Sequence, residues 1–253
     1  TFVDVFGGGF NVGINSNYNH IIYNDLNFIV KDLIQSFQKY DTYDYIMYVK
    51  RFIKKYNLEK GNKENYIAAR NHYNTLPPNK KDIRILFALI LYSFQQQIRF
   101  NNKLEYNNPV GMRWFNDYIL SKLVSFSRII KESNVTFLSS DYIHLSNSID
   151  ITNNCFVYLD PPYKLTLGSY NDGKRGFKGW DDNLEVELFT YFDNLTAQNI
   201  PCMLSYVLEH KGEKNTTLEK WINQNNYTYI SLGNIIGISG QPRKEILILN
   251  YDI

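Results

Sequence analysis

The 253 residues are 44% hydrophobic and 21% charged, enough for one large α/β domain, or one such domain carrying a smaller lobe, and too apolar for a disordered tail. Lys and Arg total 27 against 25 acidic residues; the net charge of +2 excludes a histone-like polycation and leaves any polyanion binding to local patches. No apolar run approaches the roughly 18–20 residues of a membrane span, and two cysteines (Cys155, Cys202) with four scattered histidines offer neither a disulfide framework nor a zinc site. A reduced, cytoplasmic protein working without metal, as a monomer or weak dimer, is the expectation. The chain opens directly in a strand-like run with no initiator Met, which reads as a trimmed start.

In chain order, residues 1–6 (TFVDVF) are an apolar, β-branched run that stops at Gly7-Gly8-Gly9, and residues 20–23 are a second that ends at Asn24-Asp25. With a helix expected behind the glycines, this is the opening of a nucleotide-binding βαβ unit. Residues 28–131 switch to helical spacing, with Ile29, Leu33, Ile34 and Phe37 on one face. Pro77-Pro78 breaks that stretch, and residues 100–111 interrupt it with hairpin chemistry. Strands return at 135–138, 156–159, 203–206, 227–232 and 245–250, with helical patterns at 184–195 and 217–223. The sheet is therefore drawn from both ends of the chain, around a helical middle. Residues 164–179, rich in Gly, Lys and Tyr, show no element pattern.

Three motifs carry chemistry. Glycines after a strand let a backbone approach a ligand closely, although a simple tight turn uses them too. The dinucleotide fingerprint would need a third glycine where Val12 stands, which argues against a dehydrogenase. Asp25, at the end of the second strand, suits either the ribose hydroxyls of an adenosine or the N-cap of the helix that follows. Asp160-Pro161-Pro162-Tyr163 directly follows a strand, where the active-site crevices of open α/β sheets lie. The prolines stiffen the backbone, so that the Asp160 carboxylate and the Pro161 carbonyl become two acceptors suited to one amino group, with Tyr163 as a stacking face. The plainer reading is a stiff loop in which Asp160 starts a turn.

These motifs together resemble the Dam-type DNA adenine-N6 methyltransferases of phages and bacteria (D12 class, alpha group). The likeness covers most of the chain. Residues 1–25 resemble the family's strand, FxGGG, strand, ND unit. Residues 98–113 (IRFNNKLEYNNPVGMR) are similar to its R-x-N-x-x-x-x-[FY]-x-x-P-x-G hairpin, residues 156–171 to its catalytic segment, and residues 204–214 to its phage branch. The resemblance implies an S-adenosylmethionine-dependent methyltransferase fold: a mixed, mostly parallel sheet flanked by helices, with an inserted, mainly helical target-recognition lobe carrying a β-hairpin. Residues 1–35 and 119–253 would make the catalytic domain and residues 36–118 the lobe.

It implies S-adenosylmethionine as cofactor, double-stranded DNA as partner, and methylation of a flipped adenine within GATC. Asp4, Phe6, Gly7, Gly8, Gly9, Asp25, Asp141, Tyr142 and Asp160 would hold the cofactor. Asp160, Pro161, Pro162 and Tyr163 would hold and orient the target amine. Arg99, Asn101, Pro109, Arg113, Lys174 and Arg175 would contact DNA; a bidentate arginine on guanine is the commonest specific base contact, although a surface arginine is more often simply solvated. Two departures stand out. Gln95-Gln96-Gln97 replaces an Asn-containing stretch common in the family, and the short Gly-Lys element that precedes the family's first strand is not in this sequence. They keep two alternatives open: a related fold that binds DNA without methylating it, and a methyltransferase acting on an RNA adenine or a protein glutamine.

Overall fold

Seven strands lie in the order β3-β2-β1-β4-β5-β8-β7, and an eighth, β6, pairs with the end of β5. They are β1 (Phe2–Asp4), β2 (Ile21–Asn24), β3 (Val135–Leu138), β4 (Phe156–Leu159), β5 (Cys202–His210), β6 (Glu213–Lys214), β7 (Thr228–Ile236) and β8 (Pro242–Leu249). This computed structural model describes residues 1–166, 180–236 and 242–252. Strands β3, β2, β1, β4 and β5 are parallel, whereas β8 runs antiparallel to both β5 and β7. The central strands are continuous apolar runs because both faces are covered: Val3, Ile22, Val157, Leu159, Leu204 and Ile248 are all buried.

Seven α-helices are described: α1 (Phe28–Lys39), α2 (Thr42–Tyr56), α3 (Lys63–Thr75), α4 (Ile83–Tyr92), α5 (Asp117–Glu132), α6 (Asp182–Ala197) and α7 (Thr216–Asn225). Each has an Asn or Asp N-cap whose side chain accepts a backbone N–H of the first turn. Helix α6 links β4 to β5 and presents Leu188, Phe189, Phe192 and Leu195 to the core, where Phe189 stacks on Trp221 of α7 with ring centroids 4.3 Å apart. No helix among the described residues is long and apolar enough to cross a membrane.

The chain forms two compact units. One holds residues 1–26 and those from 135 onward that carry the sheet; the other holds the helical stretch 27–134. The boundaries expected at 35 and 119 fall inside the helical unit, because α1 and α5 pack on each other within it. The Gln38 amide donates to Ile130 O at 3.2 Å, the Ser127 hydroxyl donates to Phe37 O at 3.2 Å, and the Phe37 and Phe126 rings meet edge-on at 5.4 Å.

One expected element is missing. Behind the three glycines there is only a 3-10 turn, Gly13–Asn15, in place of an α-helix. Phe10 takes a left-handed conformation (φ 62°) that drives its ring inward against Tyr23 and Phe137. A helix cannot propagate through that residue. Strands β3 and β4 fall where their patterns put them, whereas β5, β7 and β8 run longer than theirs, and β5 extends over nine residues.

Candidate active site at the carboxyl edge of the sheet

Strand order reverses at β1, with β2 on one side and β4 on the other, which makes the carboxyl ends of β1 and β4 a topological switch point. Asp4 ends β1. It is only 2% exposed, and its Oδ2 accepts the Gly13 N–H at 3.0 Å. Burial, with the nearby charges of Asp160 and Asp25 adding to it, pushes its carboxyl up to about 7, against the opposing pull of the Gly13 hydrogen bond. The chain then turns over the glycines. A Cβ on Gly7 would lie 2.4 Å from the Tyr23 ring, and Gly8 has φ +45°, so this turn admits no ordinary side chain at either place. The Gly7 N–H donates to Asn24 O at 2.7 Å, and the Tyr23 hydroxyl donates to Gly8 O at 2.9 Å.

The neighbouring strand ends are tied to this turn. Asn24, buried at the end of β2, donates to Val5 O and Ser140 O at 3.0 Å each and accepts the Ser140 N–H at 2.9 Å. Asp25 follows, and its Oδ2 accepts the Gly8 N–H at 2.9 Å. Beyond β3, Asp141 caps the short turn Tyr142–Asn147. Tyr142 is buried with its ring 5.3 Å from that of Phe6, and its hydroxyl has no hydrogen-bond partner among the described residues. Four parallel strands thus deliver Asp4, Asp25, Asp141 and Asp160 to one edge of the sheet.

Asp160 sits just past β4, where the Tyr163 hydroxyl donates to its Oδ1 at 2.5 Å and the Ser205 hydroxyl lies 3.1 Å from the Tyr163 oxygen. Burial raises the proton affinity of the Asp160 carboxyl, and Glu245 raises it further; the Tyr163 hydrogen bond, Arg243 and Ser205 pull it down. The Tyr163 ring rests edge-on against Tyr206 of β5 at 5.6 Å. Below it, the Tyr206 hydroxyl accepts from Trp180 Nε1 and donates to Glu185, both at 2.9 Å. Asn215 donates to the same Glu185 oxygen at 2.6 Å, and Lys164, the residue after Tyr163, has its Nζ 3.7 Å from the other oxygen. A fully buried carboxylate therefore anchors the Asp-Pro-Pro-Tyr segment from beneath.

In the helical unit, the expected hairpin exists as two antiparallel bridges, Ser93 with Val110 and Phe100 with Tyr106. Asn101 builds its tip: Oδ1 accepts the N–H groups of Lys103 and Glu105, and Nδ2 donates to Glu105 Oε2 at 2.7 Å. Asn108 builds its base, donating to Ser93 Oγ, Phe94 O and Gln97 O, while the Tyr66 hydroxyl and the Arg70 guanidinium both donate to Asn108 O at 3.0 Å. Gly111 fits where a Cβ would lie 2.3 Å from Ser93 O. Pro109 and Arg113 are exposed, and Arg113 donates to Gln96 Oε1 at 2.9 Å. Arg99 is half-buried, with its Nε sealed from solvent and unpaired among the described residues. Lys174 and Arg175 lie outside the described residues.

The family profile of the D12 class N6 adenine-specific DNA methyltransferases matches residues 1–235. The chain belongs to this family. It is 42% identical over 256 residues to the type II methyltransferase M.FokI of Planomicrobium okeanokoites, which covers 99% of this chain and 39% of that protein. It is 37% identical over 259 residues to the modification methylase StsI of Streptococcus sanguinis, at 100% and 39% coverage. A DNA adenine methylase of Salmonella typhi is 23% identical over 247 residues, at 96% and 83% coverage. The chain thus spans about two fifths of the length of the first two relatives.

D12-class methyltransferases take their methyl group from S-adenosylmethionine. That molecule carries two cationic groups, a ribose diol and an adenine. The residues present fit it: a carboxylate cluster for the cations, a glycine turn that a Cβ would fill, and a buried tyrosine hydroxyl with no partner among the described residues. Several residues that frame this candidate site escape a reading of motifs. Asn24 was visible only as the residue before Asp25, Ser205 and Tyr206 only as part of the 204–214 likeness with no role of their own, and Glu185 and Glu245 gave no local signal, since their contacts with the Asp-Pro-Pro-Tyr segment span many residues of sequence.

Proposed function

We propose that this chain methylates the exocyclic amine of adenine in duplex DNA with S-adenosylmethionine as donor. The observation that carries the reading is the convergence of Asp4, Asp25 and Asp160 from three strand ends, beside a glycine turn too tight for a side chain. S-adenosylmethionine, when bound, supplies a methyl group activated by its sulfonium. Asp4 and residues 6–9 take the methionine portion, Asp25 the ribose, and Asp141 with Tyr142 the adenine. The target adenine has to leave the stack, because its amine cannot reach the donor from within a duplex.

Asp160 and the Pro161 carbonyl accept the two amine hydrogens and aim the nitrogen lone pair in line with the methyl carbon, while Pro162 holds that backbone and Tyr163 offers a stacking face. As the N–C bond forms, the methyl–sulfur bond breaks and its electron pair stays on sulfur; the amine then gives up one proton, and Asp160 takes it, helped by the proton affinity that burial confers. Arg99, Pro109 and Arg113 contact the duplex, with Asn101 shaping the hairpin tip; Lys174 and Arg175 add phosphate contacts. GATC is the target that the hairpin likeness implies, although the relatives of higher identity are modification methylases of greater length.

Transfer of labelled methyl groups tests the reading on four substrates: a GATC duplex, an adenine-containing duplex without GATC, single-stranded RNA, and a glutamine-containing peptide. Label in N6-methyladenine of DNA alone is expected. Label in RNA or peptide at equal rate overturns the DNA assignment, and equal labelling of both duplexes overturns GATC.

A further inference from the structure

Strand β8 runs antiparallel to its neighbour β5, so it begins at the edge where the parallel strands end. Glu245 lies opposite Val207, two residues along β5 from Ser205, and so projects onto the same face as Ser205; Arg243 alternates onto that face as well. The Arg243 Nε pairs with Glu245 Oε1, and its guanidinium carbon stands 5.4 Å from the centroid of the Tyr163 ring. Glu245 is 7% exposed. An ion pair from the antiparallel end of the sheet thus sits against the Asp-Pro-Pro-Tyr segment.

We propose that Arg243 and Glu245 are positioning residues for the transfer step: Arg243 backs the Tyr163 ring and balances the Glu245 charge beside Asp160, which keeps Asp160 an acceptor. The inference rests on the adenine-methylation reading. Among the described residues, charged and titratable groups face Asp160 from several elements. Asp4 comes from β1, Tyr158 from β4, Tyr163 from the same segment, and Glu245 and Arg243 from β8. Of these, Arg243 alone is cationic. Its removal leaves Glu245 buried without a counter-charge, and a like charge beside Asp160 favours its protonated form. A protonated Asp160 cannot accept both from the amine and during proton release.

The test compares wild type with Arg243→Ala, Arg243→Lys and the double variant Arg243→Ala/Glu245→Gln, reading the ratio of methylation rate at pH 6 to that at pH 8.5. A second readout is the fluorescence of 2-aminopurine placed at the target base, which reports base capture without turnover. The ratio should fall severalfold in Arg243→Ala, because an unbalanced Glu245 leaves more of Asp160 protonated at pH 6 than at pH 8.5. It should stay near wild type in Arg243→Lys and return toward wild type in the double variant, although the ring backing is still absent. The 2-aminopurine signal should follow the same order. As a control, Lys244→Ala removes an equal charge from the opposite face and should leave the ratio unchanged. An unchanged ratio in Arg243→Ala, or no recovery in the double variant, overturns the inference. Absence of methylation in wild type instead overturns the reading beneath it.

Discussion

Asn24 and Asn108 do similar work in two units of different build. Each is a buried asparagine holding three groups: Asn24 binds Val5 O, Ser140 O and Ser140 N, and Asn108 binds Ser93 Oγ, Phe94 O and Gln97 O. At the sheet edge, Asn24 only trims loops whose positions are already set by parallel strands in register. Among the described residues of the helical unit, two isolated bridges are the ladder, so Asn108 with Tyr66, Arg70 and Asn74 supplies the frame by side-chain hydrogen bonds. A chemical site gains precision from a rigid sheet, whereas a reading element needs only to be held at its base. Under the proposed function, cofactor and amine chemistry belong to the first unit and sequence discrimination to the second.

The contrast can be broken first at Asp4, where the largest effect is expected. Its carboxyl is raised to about 7 in the folded chain from 3.8 when free. The folded state therefore holds this proton more tightly, and stability falls as pH rises from about 4 to about 7; above that range the cost levels off at about 4 kcal/mol. Asp4→Asn should remove this cost, gaining stability above pH 8 and matching wild type near pH 4 in urea titrations. A variant as pH-sensitive as wild type would show that the carboxylate is not buried as described.

The two asparagines sharpen the comparison next. Asn24→Ala strands two carbonyls and one N–H, a loss of about 3 kcal/mol, and should weaken cofactor affinity measured by calorimetry. Asn108→Ala should cost about 2 kcal/mol and reduce the preference for the target sequence, with cofactor affinity intact. If both variants lose cofactor affinity alike, the division of labour fails. The smallest effect is expected at the hairpin tip: Asn101→Ala opens one turn, costs about 1 kcal/mol, and should alter the salt dependence of DNA binding little.

The strand ends were legible in the sequence because each apolar run stops at a residue with its own chemistry: Gly7 after the first, Asp25 after the second, Asp160 after the fourth. The missing helix behind the glycines was not legible, because the left-handed Phe10 depends on the pocket that Tyr23 and Phe137 make for it. Nor was the hairpin frame, since Tyr66 and Arg70 reach Asn108 across 42 and 38 residues. The place of Arg243 beside Tyr163 was not legible either, because only the antiparallel return of β8 brings the two together.

One paired measurement bears most directly on the central claim: methylation rates of Asp160→Ala and Arg99→Ala on a target duplex and a duplex lacking the target, with cofactor affinity measured alongside. Asp160→Ala should lose about 10²–10³-fold in rate on both duplexes while still binding S-adenosylmethionine. Arg99→Ala should lose rate on the target duplex, by about 1–3 kcal/mol of discrimination, and keep the wild-type rate on the other. Wild-type rates in Asp160→Ala, or an equal loss on both duplexes in Arg99→Ala, would contradict the account.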